Sequence, residues 1–469
     1  MHPDHLIRLS LASEIMNRWV DIPCRDEFTV TLRYSPKSFI KDWRVGGLPG
    51  EEFEEKGRDY LPEGIEAAQL LEHHGYDSLD VDVGCYDAWF WNHPPMYQKK
   101  GLYIPYAKAI KEAVSGPVIC AGRMDNPDLA LSAIEDGSCD LIGLGRPLLA
   151  DPDYVNKLRF GQTELIRPCL SCHEGCLGRM VHYGWLNCAV NPSCARERIT
   201  ELKPVLKKKK VMIIGGGVAG CEAARVLSLR GHQPEVYEKT GRLGGNLIPG
   251  GTPDFKEDDH ALANWYKNTL KDLAVPVYYN TEVTPDMIRA ENPDTVIIAT
   301  GSRPKVFALG DDSKVFTAEE VLLGNKNPGS SVVVLGGGLV GCELALWLKN
   351  SGKEVSIVEA QYGLLTLNGP LCSANTSMLL SLIEEKKISV YTDSKAVHTT
   401  KKGVLIKTAE GEKEISADSV VLALGYDSEN RIYNELKHEV RDIYLLGDAR
   451  KVSNIMYAIW DAFEVASNI

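Results

Sequence analysis

At 469 residues, 44% hydrophobic and 25% charged, the chain is long enough to bury full cores and to divide into two or three domains, which excludes a small disulfide-stapled module. A net charge of -12, with no basic stripe beyond the short run Lys207–Lys210, argues against a nucleic-acid partner. No stretch approaches the apolar length that spans a bilayer, so no membrane role is expected. Cys24, Cys85, Cys120, Cys139, Cys194, Cys221, Cys342 and Cys372 are scattered and fit reduced thiols, so the expected location is cytoplasmic.

In chain order, an opening helix is predicted over about Leu9–Trp19. EFTVTLRYS (27–35) then reads as a strand, and EGIEAAQLLEHHG (63–75) as a helix closed by glycine. SLDVDVG (78–84) is the next strand, followed by the aromatic-rich loop YDAWFWNHPPMYQ and a helix near Ile104–Val114. A strand over 117–122, a helix from Pro127 to Gly137, a strand over 140–145 and a helix from about Pro152 complete the series. Strands alternating with helices at this spacing imply a parallel sheet in an α/β fold. AGR (121–123) and GLGR (143–146) each put glycine and arginine at a strand's C-terminal edge, the phosphate-holding position after the last two strands of a (β/α)8 barrel. Four β/α units are legible where a closed barrel needs eight, so residues 1–165 are expected to form the last four units of a barrel.

Residues 166–204 hold PCLSCHEGCLGRMVHYGWLNCAVNP, with Cys169, Cys172, Cys176 and Cys188 spaced Cys-x2-Cys-x3-Cys-x11-Cys. Four thiolates suit a [4Fe-4S] cluster; the rival is structural zinc, which usually shows two Cys-x2-Cys knuckles rather than one. Cys194 is a spare thiol nearby.

VMIIGGGVAGCEAA (211–224) and VVVLGGGLVGCELA (332–345) are near copies of a strand, a Gly-x-Gly-x-x-Gly turn and a helix. Gly215, Gly217 and Gly220, and again Gly336, Gly338 and Gly341, allow a pyrophosphate to approach a helix N-terminus. Eighteen positions after each third glycine, Glu238 and Glu359 can accept ribose hydroxyls. Two Rossmann-like domains are therefore expected; the segments KTGRLGGNL, IIATGSRP and DIYLLGDAR resemble the FAD domain of two-dinucleotide flavoproteins, which implies that the domains nest, one over 205–310 and 425–469, the other over 311–424. Ala360 and Gln361 follow Glu359 with no adjacent Arg or Lys, which favours NADH over NADPH in the second copy.

The strand TLRYS, the segments AGR and GLGRPLLADPD and the cysteine spacing resemble the old-yellow-enzyme-type iron-sulfur flavoproteins, namely 2,4-dienoyl-CoA reductase, 2-enoate reductase and trimethylamine dehydrogenase. The likeness runs through the whole chain, and YDAWFWNHPP (86–95) is especially similar to clostridial enoate reductases and the bile-acid-inducible NADH:flavin oxidoreductases. The resemblance implies that Arg33, Gly122, Arg123, Gly145 and Arg146 contact FMN and that the four cysteines hold a [4Fe-4S] cluster. It also puts Tyr86 where family members often carry a catalytic histidine. The resemblance of KTGRLGGNL, IIATGSRP and DIYLLGDAR to the FAD domain also implies FAD contacts at Gly245, Thr300, Gly301 and Asp448. The implied activity carries electrons from NADH to FAD, to the cluster, to FMN and to an activated C=C bond of an enoate, enoyl-CoA or 3-oxo-4-ene steroid or bile acid. The alternatives are an NADH diaphorase and an electron-transfer subunit. A barrel of four units leaves a partner chain or self-association to complete it, and predicts that FAD is held more securely than FMN.

Overall fold

The computed structural model describes residues 29–58, 63–367, 369 and 371–469, so the helix expected over Leu9–Trp19 lies outside the described residues. Packing divides the chain into one unit of residues 1–148 with 373–378 and a second of residues 149–372 with 379–469. No helix among the described residues is long and apolar enough to cross a membrane.

In the first unit, Thr31–Tyr34, Ser78–Val81, Val118–Cys120 and Leu141–Ile142 form a four-stranded sheet whose spatial order is the chain order, every pairing parallel. Helices Ile65–His73, Ile104–Lys111 and Pro127–Glu135 connect them. The strands are shorter than the apolar runs that announce them, because pairing stops where the four-residue strand Ser78–Val81 ends. The helix at Pro127 starts where predicted for a local reason: Pro127 presets the first turn, and the Asn126 side chain accepts from the backbone N–H of Asp128 and Leu129 at 2.9 and 3.1 Å. A hairpin, Ile40–Asp42 with Val45–Gly46, was not expected from the sequence; it seats Gly46 against Ala88 and Phe90, where a Cβ would come within 3.0 Å of both residues.

The second unit contains two five-stranded, all-parallel sheets. The first runs in the order Ile443–Leu445, Thr295–Ile298, Lys210–Ile214, Gln233–Tyr237, Val277–Tyr278. The second runs Val315–Thr317, Ser419–Leu422, Ser331–Leu335, Glu354–Val358, Ser389–Tyr391. The strands that open the two fingerprints are central in both sheets and are buried on both faces, which explains their uninterrupted runs of Val, Ile, Met and Leu. An antiparallel pair, Ser302–Pro304 with Tyr426–Ser428, closes the points where the chain leaves the first lobe and returns to it, as nesting requires.

The first lobe's core contains a buried ion pair. Glu222, fully buried on the helix Val218–Leu229, accepts from Arg225 Nε and Nη2 at 2.9 and 2.7 Å and from the Tyr266 hydroxyl at 3.2 Å. Removing one partner strands a buried charge, so Glu222→Ala should lower the denaturant stability of this lobe by about 3–5 kcal/mol, whereas Glu222→Leu combined with Arg225→Met should recover most of it. Denaturant titration of the three proteins checks this; equal losses in single and double variants would contradict it.

Candidate functional site

At the C-terminal edge of the first unit's sheet, Arg33 Nε meets Asp82 Oδ2 at 2.7 Å, and Asn92 Nδ2 donates to the same oxygen at 3.1 Å. Tyr103 donates its hydroxyl hydrogen to the Trp91 carbonyl at 2.5 Å and lies under Gly122, where φ is +87° and a Cβ would sit 2.5 Å from the ring. Only glycine fits there. Gly145, by contrast, faces open space, room into which a ligand can bring an anionic group. Arg146 Nη1 donates to the Pro94 carbonyl at 2.9 Å. Arg123, expected beside a phosphate, is instead turned inward: it is buried, at φ +55°, and its Nη1 donates to the carbonyls of Met96 and Gln98. Both arginines therefore fasten the aromatic loop to the sheet edge.

That loop also decides where Tyr86 lies. Ala88, Phe90 and Trp91 turn into the core and leave Tyr86 on the outside, 84% exposed, its ring edge-on to Trp89. The residue set among the charged groups is His93, which the sequence offered only as part of a His-Pro-Pro turn. Its Nδ1 is buried without a hydrogen-bond partner, and burial together with the positive charges of Arg146 and Arg33 lowers its pKa from 6.5 to about 4. Burial also raises the carboxyl pKa of Asp80 and of Asp82, in part opposed by Arg33.

The two fingerprints of the second unit are built alike. Gly215 has φ +104° with the Ala299 carbonyl 2.3 Å from where a Cβ would stand; Gly336 has φ +109° with the Ala423 carbonyl at 2.4 Å. Gly220 and Gly341 each leave 1.9 Å between such a Cβ and the carbonyl of the turn's first glycine. Gly217 and Gly338 begin the N-terminal ends of helices Val218–Leu229 and Leu339–Asn350. Each acidic residue is aimed by backbone donors: Glu238 accepts from Gly216 and Thr240, both at 2.7 Å, and Glu359 from Gly337 at 2.5 Å and Gln361 at 2.7 Å. Gly245 approaches Gly217, a Cβ there lying 3.0 Å from the Gly217 Cα. Thr300 donates its hydroxyl to the Glu429 carbonyl, and Gly301 accepts from the Glu429 N–H at 2.9 Å. Asp448 accepts from Ser302 Oγ at 3.1 Å and Ser453 N–H at 3.0 Å, and burial raises its pKa. The predicted dinucleotide residues are thus gathered around two turns.

The cysteine segment packs on the first lobe's core. Cys169, Cys172 and Cys188 lie against the apolar cluster that includes Val211, Leu227 and Tyr266. Burial raises the pKa of Cys172 far above the ordinary thiol range, with the charges of Cys176 and Cys169 adding to the effect. Cys188 is pushed up to about 12 by burial and by Cys169, while the N–H groups of Val190 and Asn191 act the other way. Ser171 and His173, on either side of Cys172, take φ values of +50° and +60°. Gly175 lets the loop close on the fourth cysteine, since a Cβ there would stand 2.6 Å from the Cys188 carbonyl carbon. No group of three or more His, Cys, Asp or Glu among the described residues is gathered as a single-ion site. The thiols share one environment, in which Cys169 and Cys176 act on both Cys172 and Cys188. Cys194 stays near enough to Cys176 to feel its charge, yet is buried apart.

Several residues of this unit escaped the sequence reading because their types are commonplace. Arg167 donates to the Val190 carbonyl at 2.8 Å and lies over the Trp265 ring at 4.6 Å. Lys256, buried, faces Asp259 at 3.5 Å and Glu343, on the second fingerprint's helix, at 3.4 Å. Burial alone would lower its pKa, but the two carboxylates outweigh it and hold the pKa up.

Residues 209–462 match the pyridine nucleotide-disulphide oxidoreductase family, and residues 50–164 match the NADH:flavin oxidoreductase / NADH oxidase family. A cinnamate reductase of Clostridium sporogenes is 52% identical over 98% of this chain and 69% of its own length. The chain belongs to the 2-enoate reductase family of old-yellow-enzyme-type flavoproteins. A bilirubin reductase of Mediterraneibacter gnavus is 34% identical over 91% of this chain and 68% of its own. The solved structure of a 2-naphthoyl-CoA reductase with 2-naphthoyl-CoA superimposes with a TM-score of 0.87 at 27% identity, covering 99% of this chain and 68% of that one. FMN, FAD and NADH are the cofactors that fit these families.

Within this enoate reductase fold, His93 makes the first unit sensitive to acid. An imidazole with a pKa of 6.5 when unfolded and about 4 when folded binds its proton more readily in the unfolded chain. Its contribution is harmless above pH 6.5 and destabilises progressively as pH falls toward 4. His93→Gln should flatten this part of the stability–pH curve without changing stability at pH 8. Thermal melts of both proteins between pH 4 and 8 test it, and parallel curves would refute the assignment.

Proposed function

We propose that this protein reduces the activated C=C bond of a 2-enoate with NADH, in a reducing compartment such as the cytoplasm. The observation that carries the reading is a half-buried four-cysteine segment, three of whose cysteines pack on the core of one of two dinucleotide lobes, in a chain that also holds a flavin-type β/α unit. The 52% identity with a cinnamate reductase supports a compact aryl or alkyl enoate over a steroid. When bound, the nicotinamide, both flavins and the cluster supply hydride transfer and a one-electron relay that together saturate an electron-poor alkene.

The chain's own residues divide that work. Gly215, Gly217, Gly220 and Gly245 leave backbone room for the FAD pyrophosphate, Glu238 accepts its ribose hydroxyls, and Thr300, Gly301 and Asp448 line the ribityl side. Gly336, Gly338, Gly341 and Glu359 do the same for NADH. The Glu359 carboxylate, its oxygens fixed by two backbone donors, would repel a 2'-phosphate. Cys169, Cys172, Cys176 and Cys188 would hold the [4Fe-4S] cluster; coordination would offset the cost of the thiolate form, which burial disfavours at Cys172 and Cys188. Gly122, Gly145, Arg146 and Arg33 border FMN, with Arg123 acting through the loop it fastens. His93, neutral at physiological pH, offers an N–H to the substrate's carboxyl or carbonyl oxygen, a role Tyr86 is less well set to fill. Four β/α units line one side of such a site, and the remaining strands of a closed barrel would come from outside the described residues or from a partner copy.

Anaerobically purified protein should oxidise NADH in the presence of cinnamate and yield the saturated acid, and Cys172→Ala should abolish this while leaving NADH-driven bleaching of FAD intact. NADH oxidation without saturated product would leave the diaphorase reading instead. Glu359→Arg should narrow the preference for NADH over NADPH by about 10-fold or more, since each 1.4 kcal/mol of lost repulsion is worth that factor. Stopped-flow bleaching equally fast with both nucleotides in the unmodified protein would contradict the role of Glu359.

A further inference from the structure

The helix Ile455–Asn468 carries two neighbouring side chains that face different parts of the proposed electron route. Asp461 Oδ2 accepts from the Gly447 N–H at 2.8 Å, and its Oδ1 pairs with Arg450 Nη2 at 2.7 Å, so Asp461 anchors the Gly447–Ala449 turn that contains Asp448. Trp460 donates its indole N–H to the backbone carbonyl of Cys188 at 3.0 Å. The Arg179 guanidinium lies over the Trp460 ring at 5.2 Å; Arg179 belongs to the short helix Leu177–Val181 that leaves Cys176. A single indole therefore contacts both ends of the 11-residue gap between the third and fourth cysteines. The helix itself is firmly seated, with Ile459, Ala462, Phe463 and Ala466 buried in the core against which Cys188 packs.

We propose that Trp460 is a positioning residue that fixes the fourth cysteine, Cys188, in register with the Gly447–Ala449 turn, so that cluster and FAD keep a constant separation and the Cys188 peptide a constant orientation. The inference rests on the cluster reading given above. Trp460 itself gains and loses no electron: electrons pass singly, two per NADH oxidised, and the indole holds one end of their path. The hydrogen bond acts on the ligand's peptide rather than on its sulfur, so its loss should leave the thiolates in place while altering their orientation, which tunes a metal centre.

The test is anaerobic cluster reconstitution of the full-length protein and of Trp460→Phe, which keeps an aromatic ring but no N–H, and Trp460→His, which restores a donor. Readouts are iron content, the electron paramagnetic resonance spectrum and midpoint potential of the reduced cluster, and separate stopped-flow rates for FAD bleaching and cluster reduction. Trp460→Phe should retain iron and bleach FAD at the unmodified rate, yet show a shifted spectrum and cluster reduction slower by about 10-fold or more, with partial return in Trp460→His. Iron lost from the Phe variant but kept by the His variant would overturn the orienting role, because the donor would then be needed to retain the cluster at all. Spectrum, potential and rates unchanged in Trp460→Phe would overturn it, as would equal iron loss in both variants, which would reduce Trp460 to packing. If the unmodified protein takes up no cluster, the reading beneath the proposal falls first, and this result is visible before any variant is compared.

Discussion

Thiolates are unfavourable against an apolar core unless something binds them, and the cysteine segment of the second unit is set under that constraint. Cys172 and Cys188 sit where burial drives their pKa upward, against a cluster of Val, Leu, Ile and aromatic side chains that also supports the first fingerprint. A segment so placed cannot drift from the lobe without exposing the lobe's own core. The site is therefore fixed by the same apolar packing that makes the fold, and the polar contacts only trim it. Arg167 ties the chain before Cys169 to the Val190 carbonyl, and the Trp265 indole N–H ties Leu165 at 2.9 Å. Together with Trp460 they hold both flanks of the segment.

The same economy appears in the two fingerprints. In each, a glutamate takes the N–H of the residue between the first two fingerprint glycines, Gly216 or Gly337, so the residue that would select the ribose also locks the turn that would receive the pyrophosphate. Lys256 adds a link between the lobes, with partners on the helix Glu257–Asp272 that follows it and on the second fingerprint's helix. Such a buried lysine is sustained by its two carboxylates, and the arrangement favours one mutual geometry over others.

Much of this was legible in the sequence, and the reason is periodicity. Central parallel strands must be apolar on both faces, so VMII and VVVL read as strands, and the glycines that follow have no steric alternative, with 1.9 Å left for a Cβ at Gly220 and Gly341. Repetition of the pattern gives two lobes, and the expectation that one nests in the other comes from the resemblance of the segments after Glu238 and near the C-terminus to an FAD domain. What stayed hidden depended on tertiary contacts between unremarkable residues. Nothing local distinguishes Trp460 or Arg167 from surface residues, and the hairpin at Ile40–Gly46 is too short to carry an alternating pattern. The place of Tyr86 in the sequence gives no sign of which side of the loop it takes; Phe90 and Trp91 take the interior and leave it outside. His93 could have been found from its neighbours, since Pro94 and Pro95 restrict the backbone around it, a stiffening that suits a residue held in position.

The central claim is that the four-cysteine segment holds a redox-active cluster fed from the adjacent FAD lobe. Electron paramagnetic resonance of anaerobic protein frozen after mixing with NADH tests this most directly, paired with iron analysis of the same sample. A signal of a reduced [4Fe-4S] cluster that appears only after NADH, with about four irons per chain, is the predicted result. Stoichiometric zinc with no signal before or after NADH would contradict it.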